Sequence, residues 1–370
     1  MPQPSDGGGE SSVITTGVRR IGCWISIGRE FIPVEKGSAT QNRTKKTSSF
    51  TASFGLDGLP PGIDESYLAN TTPLPAQLYV ATQPNGGDRN LLVDGELTDV
   101  DIDYVTRTVS VGGQDKSADL HATKTSEKFQ NQKGSDIVTM LASRIGLTAV
   151  VDASLLLAGK LFQIDFAKMT DGISYAALMH KLAEFDGAYW YVKGSQLFYK
   201  QAGASSGSYV VTYAPPTGGP AQGDFLRLTI KRRVPLSKDI EVTVSTWNTK
   251  QKKAFTSTKV VKGQGGTTRY GYKTQELTKD RTDQHASSAA LDHARHEIAL
   301  SIEMAGDPAI DITQKLTLRG TAYAQDYDMD SIQHEFSYGG GYTMSIEAKS
   351  ARSGRQVSDG TDTGAGAGDE

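Results

Sequence analysis

The segment SIQHEFSYGGGYTMSIEAKS, residues 331–350, constrains the fold most strongly. Its two arms alternate with a period of two. Ile332, His334 and Phe336 fall on one face of the first arm, and Tyr342, Met344 and Ile346 on one face of the second. A helix cannot sort residues this way, because only an extended strand sends successive side chains to opposite sides. The glycines at 339–341 supply the loop of a hairpin. The chain of 370 residues carries 40 glycines, many of them between short apolar runs, as a β-protein with many tight turns requires.

Further strands are expected at Val18–Ile27, Phe50–Leu56 and Gln77–Ala81, the last followed by the turn sequence PNGGDRN. In LLVDGELTDVDIDYVTRTVSVGG, Val100, Ile102 and Tyr104 share one face and Asp99, Asp101 and Asp103 the other. The alternation changes phase near Val105, which predicts a turn or a bulge. The middle of the chain reads differently. Asp136–Ile145 is a predicted helix stopped by Gly146, and Ser174–Asp186 another, capped by Ser174 and ended by Gly187. AYWYV, Lys193-Gly194-Ser195 and QLFYK then read as a hairpin packed on both helices. APPTGGPAQG marks a boundary near residue 218. Strands return at Phe225–Ile230 and Ile240–Trp247. A long helix is expected over Asp283–Glu303, with Ala290, Leu291, Ala294, Ile298 and Ile302 as its apolar face.

The fold class read from this order is mainly β with a small two-helix α+β insert. Its parts are a disordered leader (1–12), a first β-barrel (13–112), the insert with a return strand (113–217), a second β-barrel with a helical excursion near 283–303 (218–350), and a disordered tail (351–370). Such a length suits two or three cores.

Composition narrows the function classes. Net charge is -3, from 39 basic and 42 acidic residues that are interspersed. A dedicated nucleic-acid binder would concentrate basic charge on one face. The single cysteine, Cys23, allows no internal disulfide, and its apolar flanks predict a buried, inert thiol. The polar start reads as no signal peptide, and no stretch approaches the length and apolarity of a membrane helix, so no membrane anchoring is expected.

Each motif with a chemical reading lacks its context. Gly203-Ala204-Ser205-Ser206-Gly207 matches GxSxG, but a strand-like run follows where the nucleophile elbow needs a helix. His293, His296 and Glu297 form HxxHE, which is neither of the helical zinc patterns HExxH and HxxEH. Asp99, Asp101 and Asp103 are spaced like the start of a calcium loop, but Tyr104 and Ser110 stand where glycine and glutamate are needed. The run from Gly263 to Thr268 lacks the GK[ST] of a phosphate loop. No catalytic residue, metal ligand or cofactor is assigned.

The order of the parts resembles the baseplate hub proteins of contractile-tailed phages, the late control protein D family. LLVDGELTDVDIDYVTRTVSVGGQDKSADL is similar to that family's strand-strand-GxD segment, with Asp115 at the aspartate and Gln114 where arginine is frequent. GSDIVTMLASRIGLTAVV and ISYAALMHKLAEFDGAYWYVKGSQLFYK resemble its two-helix insert. DYDMDSIQHEFSYGGGYTMSIEAKS resembles its closing hairpin, and VTVSTWNTKQKKAF the strand and basic turn that open its second barrel. Together these cover about residues 90–350.

The resemblance implies tail-tube-like barrels, a homotrimer forming a pseudo-sixfold ring, and a link between the tail tube protein and the central spike protein. Tape measure and baseplate wedge proteins are further implied partners. DNA would be met only in passage, and the place would be the virion tail after assembly in the bacterial cytoplasm. Asp99, Asp101 and Asp103 would be lumen-facing acidic residues. The alternatives are the hub of a tail-like bacteriocin or injection system, a tail-associated cell-wall hydrolase, and a carbohydrate-binding protein using Trp190 and Tyr191.

Overall fold

A computed structural model describes residues 21–43, 46–82, 88–127, 129, 132–157, 172–201, 207–216, 222–249, 251–275, 277–352 and 355–360. The expected leader and Gly203–Ser206 lie outside these residues. The described residues are mostly β and hold four hydrophobic cores.

The first unit holds β1 (Gly22–Ile27), β2 (Glu30–Pro33), β3 (Lys36–Asn42), β4 (Ser49–Gly55), the short helix α1 (Glu65–Asn70), β5 (Pro75–Ala81), β6 (Asn90–Asp103) and β7 (Thr108–Asp115). Its hydrogen-bonded order is β3-β4-β7-β6-β5-β1-β2, antiparallel throughout. β2 runs on into β3 through Val34 and Glu35. Val34 N–H donates to the Cys23 carbonyl and Glu35 N–H to that of Ser53, both at 2.9 Å, so both ladders continue across the bend. The order therefore returns on itself as a barrel, which leaves few open edges. Ile25, Ile27, Phe50, Phe54, Leu78 and Val109 fill it. The phase change near Val105 is a turn over residues 104–107, with Arg107 at φ 53°, and a bulge follows Leu97.

The insert comprises α2 (Ser117–Ala122), β8 (Lys124–Thr125), α3 (Gly134–Arg144), β9 (Thr148–Val151), β10 (Ile173–Ser174), α4 (Tyr175–Asp186), β11 (Ala188–Lys193) and β12 (Gln196–Gln201). Ser174 Oγ accepts from Ala177 N–H at 3.2 Å, and Gly187 ends α4 at φ 68°, as expected of a cap and a left-handed stop. β11 and β12 form the predicted hairpin, and β9 joins it in parallel.

The second unit begins with β13 (Ser208–Ala214), β14 (Gln222–Gly223) and β15 (Arg227–Arg232). An excursion follows: β16 (Asp239–Asn248), β17 (Lys253–Val261), β18 (Thr267–Gln275) and α5 (Lys279–Arg295). The unit resumes with β19 (Ile298–Ala305), β20 (Lys315–Arg319), β21 (Asp326–Ser337) and β22 (Gly341–Ser350). Its order is β15-β19-β22-β21-β20-β13-β14. First, second and later strands thus have the same neighbours as in the first unit, except that β13 runs parallel to β20 while β1 runs antiparallel to β5.

Three expectations need correction. The helix ends at Arg295, and Ile298–Ala305 is a strand with Leu300, Ile302 and Met304 buried on one face. The i+4 spacing of Ala290, Ala294, Ile298 and Ile302 spans two elements joined at His296–Glu297. Second, VTVSTWNTKQKKAF lies in β16 and β17, which form a separate sheet with β18 and β23 (Val357–Asp359), packed under α5 around their own core. Third, the tail expected to be disordered from 351 contains β23, which pairs with β17, while its residues 361–370 lie outside the described ones.

Candidate functional site: a continuous polar sheet face

The two β-units share one sheet, because β3 pairs with β21 along Lys36–Asn42. An antiparallel run of eight strands results: β6-β7-β4-β3-β21-β22-β19-β15. Residues opposite one another in register share a face. One row reads Asp99, Gly112, Thr51, Ser38, Glu335, Thr343. The next reads Asp101, Ser110, Ser53, Lys36, Ser337, Gly341. These rows line a depression in the surface. The opposite face carries Ala39, Ala52, Val109, Val111, Phe336 and Met344, all buried. Period-two alternation thus makes one side core and the other small and polar.

Hydroxyl pairs tie the polar face across strands, Ser38 Oγ with Thr51 Oγ1 and Ser53 Oγ with Ser110 Oγ, both at 2.8 Å. Asp99, Asp101 and Asp103 are exposed on it, at one end of the run. Their roles differ. Asp99 Oδ2 accepts from Thr98 Oγ1 at 2.7 Å. Asp103 Oδ1 accepts from Val105 N–H at 2.8 Å and Thr106 N–H at 3.1 Å, and the bonds to Thr106 and Val105 hold its carboxyl below the usual range. Asp103 therefore builds the hairpin turn. Glu335, Glu303 and Glu347 stand on the same face, with Lys36, Arg227 and Lys231. The polar arms of alternating strands, such as Ser38 and Thr40, were the available sequence signal for this face. Its continuity across two units depends on pairing between residues about 300 apart and had none.

The GxD residues have local reasons. A Cβ at Gly113 would stand 2.2 Å from the Phe50 ring, so only glycine fits over that core residue. Asp115 is buried and accepts from Ser117 N–H at 3.0 Å and Ser117 Oγ at 2.5 Å, anchoring the start of α2, while burial raises its pKa. His334 Nδ1 pairs with Tyr342 OH at 2.8 Å, and burial lowers its pKa to about 4. Cys23 is buried, its thiol pushed up to about 12 by desolvation.

One cluster had no sequence signal at all. Asp186, at the end of α4, accepts from Arg281 Nη1 at 2.5 Å, Ser154 Oγ at 2.6 Å and Tyr199 OH at 2.9 Å. Both ions are buried. The side chain of Arg281 also donates to the carbonyls of Leu156 and Leu157, and Ser288 Oγ to that of Glu184. This network joins the insert to α5.

The remaining motifs have structural uses. His293 stacks on Tyr270 at 3.9 Å, with Nε2 2.7 Å from Tyr272 OH, and His296 ends α5. Among the described residues no three His, Cys, Asp or Glu side chains converge as for a metal ion. The segments flanking Gly203–Gly207 are both strands, β12 and β13. Trp190 is buried in the insert core, whereas Tyr191, on the other face of β11, is half-buried and stacks on Phe198 at 4.8 Å. Gly263 N–H, just past the end of β17, donates to Asp239 Oδ1 at the start of β16 at 2.8 Å.

The mostly-β, two-unit architecture is the fold of phage tail proteins. A 43 kDa tail protein of prophage MuSo2 from Shewanella oneidensis superposes with a TM-score of 0.65 at 13% identity, over 91% of this chain and 100% of that one. A tail protein from Neisseria meningitidis MC58 gives 0.63 at 12%, over 89% and 96%. The prophage tail protein gp18 from Listeria monocytogenes gives 0.57 at 7%, over 88% and 94%. No family model matches the sequence, and no curated protein does.

Proposed function

We propose that this chain is a structural, non-enzymatic baseplate hub protein that assembles as a homotrimeric ring between a tail tube and a central spike. The observation that carries the reading is the eight-strand face shared by two units of like strand order. Three copies of a two-unit chain supply six units, which fits a sixfold tube to a threefold spike. Closed rotational symmetry is the ordinary way to satisfy such contacts. In the ring the polar face lines the channel. Rows of Ser, Thr and Gly with an excess of carboxylates offer DNA no basic grip, since DNA binding rests on Lys and Arg at phosphates. The aspartates at 99, 101 and 103 face that channel near the edge of each copy.

The test is negative-stain imaging of the purified chain. Rings with a central hole and threefold symmetry are expected. Solid particles of single-chain size at micromolar concentration would refute the assembly.

A further inference from the structure

We infer that the basic edge of β15 pairs, antiparallel, with the acidic free edge of β6 on a neighbouring copy, and that this seam closes the ring. The inference rests on the ring reading and names its contact. The eight-strand run has two unfilled edges. At one end, β5 covers β6 only as far as Glu96, and the Leu97 N–H is taken by the Leu74 carbonyl. From Thr98 to Asp103, β6 has β7 on one side and no strand on the other among the described residues. At the opposite end, β15 pairs with β19 alone among the described residues. Open edges of this kind invite another strand.

Three features fit these edges to each other. Both are six residues long, Thr98–Asp103 and Arg227–Arg232. Eight antiparallel strands put β6 and β15 in opposite directions, so rotation-related copies meet antiparallel and the alternation continues around the ring. Their charges are opposite. Arg227 and Lys231 project on the same face as Asp99, Asp101 and Asp103 and are exposed. None of these five has an ion-pair partner within the chain among the described residues. Setting Thr229 opposite Asp101 places Arg227 across from Asp103 and Lys231 across from Asp99. Opposite charges facing each other across strands stabilise the pairing, and they discourage a β15 edge from meeting another β15 edge.

The test uses the full chain with Cys23→Ser, Asp101→Cys and Thr229→Cys under mild oxidation. Disulfide-linked trimers on non-reducing gels are expected, with no linkage from either introduced cysteine alone. A ring that forms without this cross-link overturns the seam and leaves the ring reading standing. Absence of any ring for the unaltered chain overturns both. A second arm reverses charge at the pair that leaves the Asp103 turn intact: Lys231→Glu weakens the oligomer, and adding Asp99→Lys restores it. Failure of restoration while each variant stays folded counts against the charge pairing.

Discussion

The two β-units have nearly the same strand order but differ in what interrupts them. In the first unit, β3 and β4 are joined by a short loop, and the barrel closes through the bend at Val34–Glu35. In the second, the equivalent link from β15 to β19 carries a whole sheet and α5. The excursion leaves the shared polar face intact, because it leaves and returns at strand ends. A sheet tolerates insertion there while its ladders and packed face are kept. Through this excursion the second unit depends on the buried Asp186–Arg281 joint, whereas the first unit's distant contact is the buried Arg43, which pairs with Asp328 and lies over the Tyr189 ring.

That dependence gives the largest expected effect. Arg281→Ala leaves Asp186 buried without its cation and should cost about 3–5 kcal/mol in urea unfolding. Hydrogen exchange should then rise in α4, α5 and β16–β18 while β1–β7 stay protected. Equal loss of protection in both units would erase the distinction. Replacing both partners, Asp186→Leu with Arg281→Met, should recover much of the loss.

The two cores should respond more evenly. Phe54→Ala in the first and Ile346→Ala in the second each remove a fully buried side chain and should cost about 2–5 kcal/mol. A much smaller value for one would mark that unit as loosely packed.

Acid should act at the join between the units. His334 sits in β21, which pairs with β3, and its folded pKa is near 4, below the unfolded value of about 6.5. The unfolded chain therefore binds the proton first. Stability from this group is fully present above about pH 6.5 and is lost as pH falls toward 4, by about 2 kcal/mol at pH 5. His334→Gln should flatten that part of the pH profile, and an unchanged profile would remove the histidine from the account.

The smallest effect is expected at the exposed Arg107–Asp57 pair of the first unit. Asp57→Asn should leave the urea midpoint unchanged, because exposed pairs are screened by water and salt.

The sequence made local elements legible where period and punctuation agreed. The β21–β22 hairpin places Ile332 against Ile346 and Phe336 against Tyr342 as the alternation required. Ser174 and Gly187 bound α4 as read. The boundary at His296 was obscured because Ile298 and Ile302 satisfy both a four-residue and a two-residue spacing. The resolving residues were Leu300 and Met304, which continue the strand period. Of the candidate face, the aspartates were legible, and the alternation at Ser38 and Thr40 carried a local signal for one more strand. Their partners across seven further strands depend on pairings such as Ser38 with Glu335, which no local pattern encodes. The excursion and its ion pair were hidden for the same reason.

The central claim is that three copies close a ring, and it is tested most directly by the molar mass of the full chain in sedimentation equilibrium at micromolar concentration and moderate salt. The account predicts three times the mass of one chain. A single-chain mass that persists as concentration rises would contradict it.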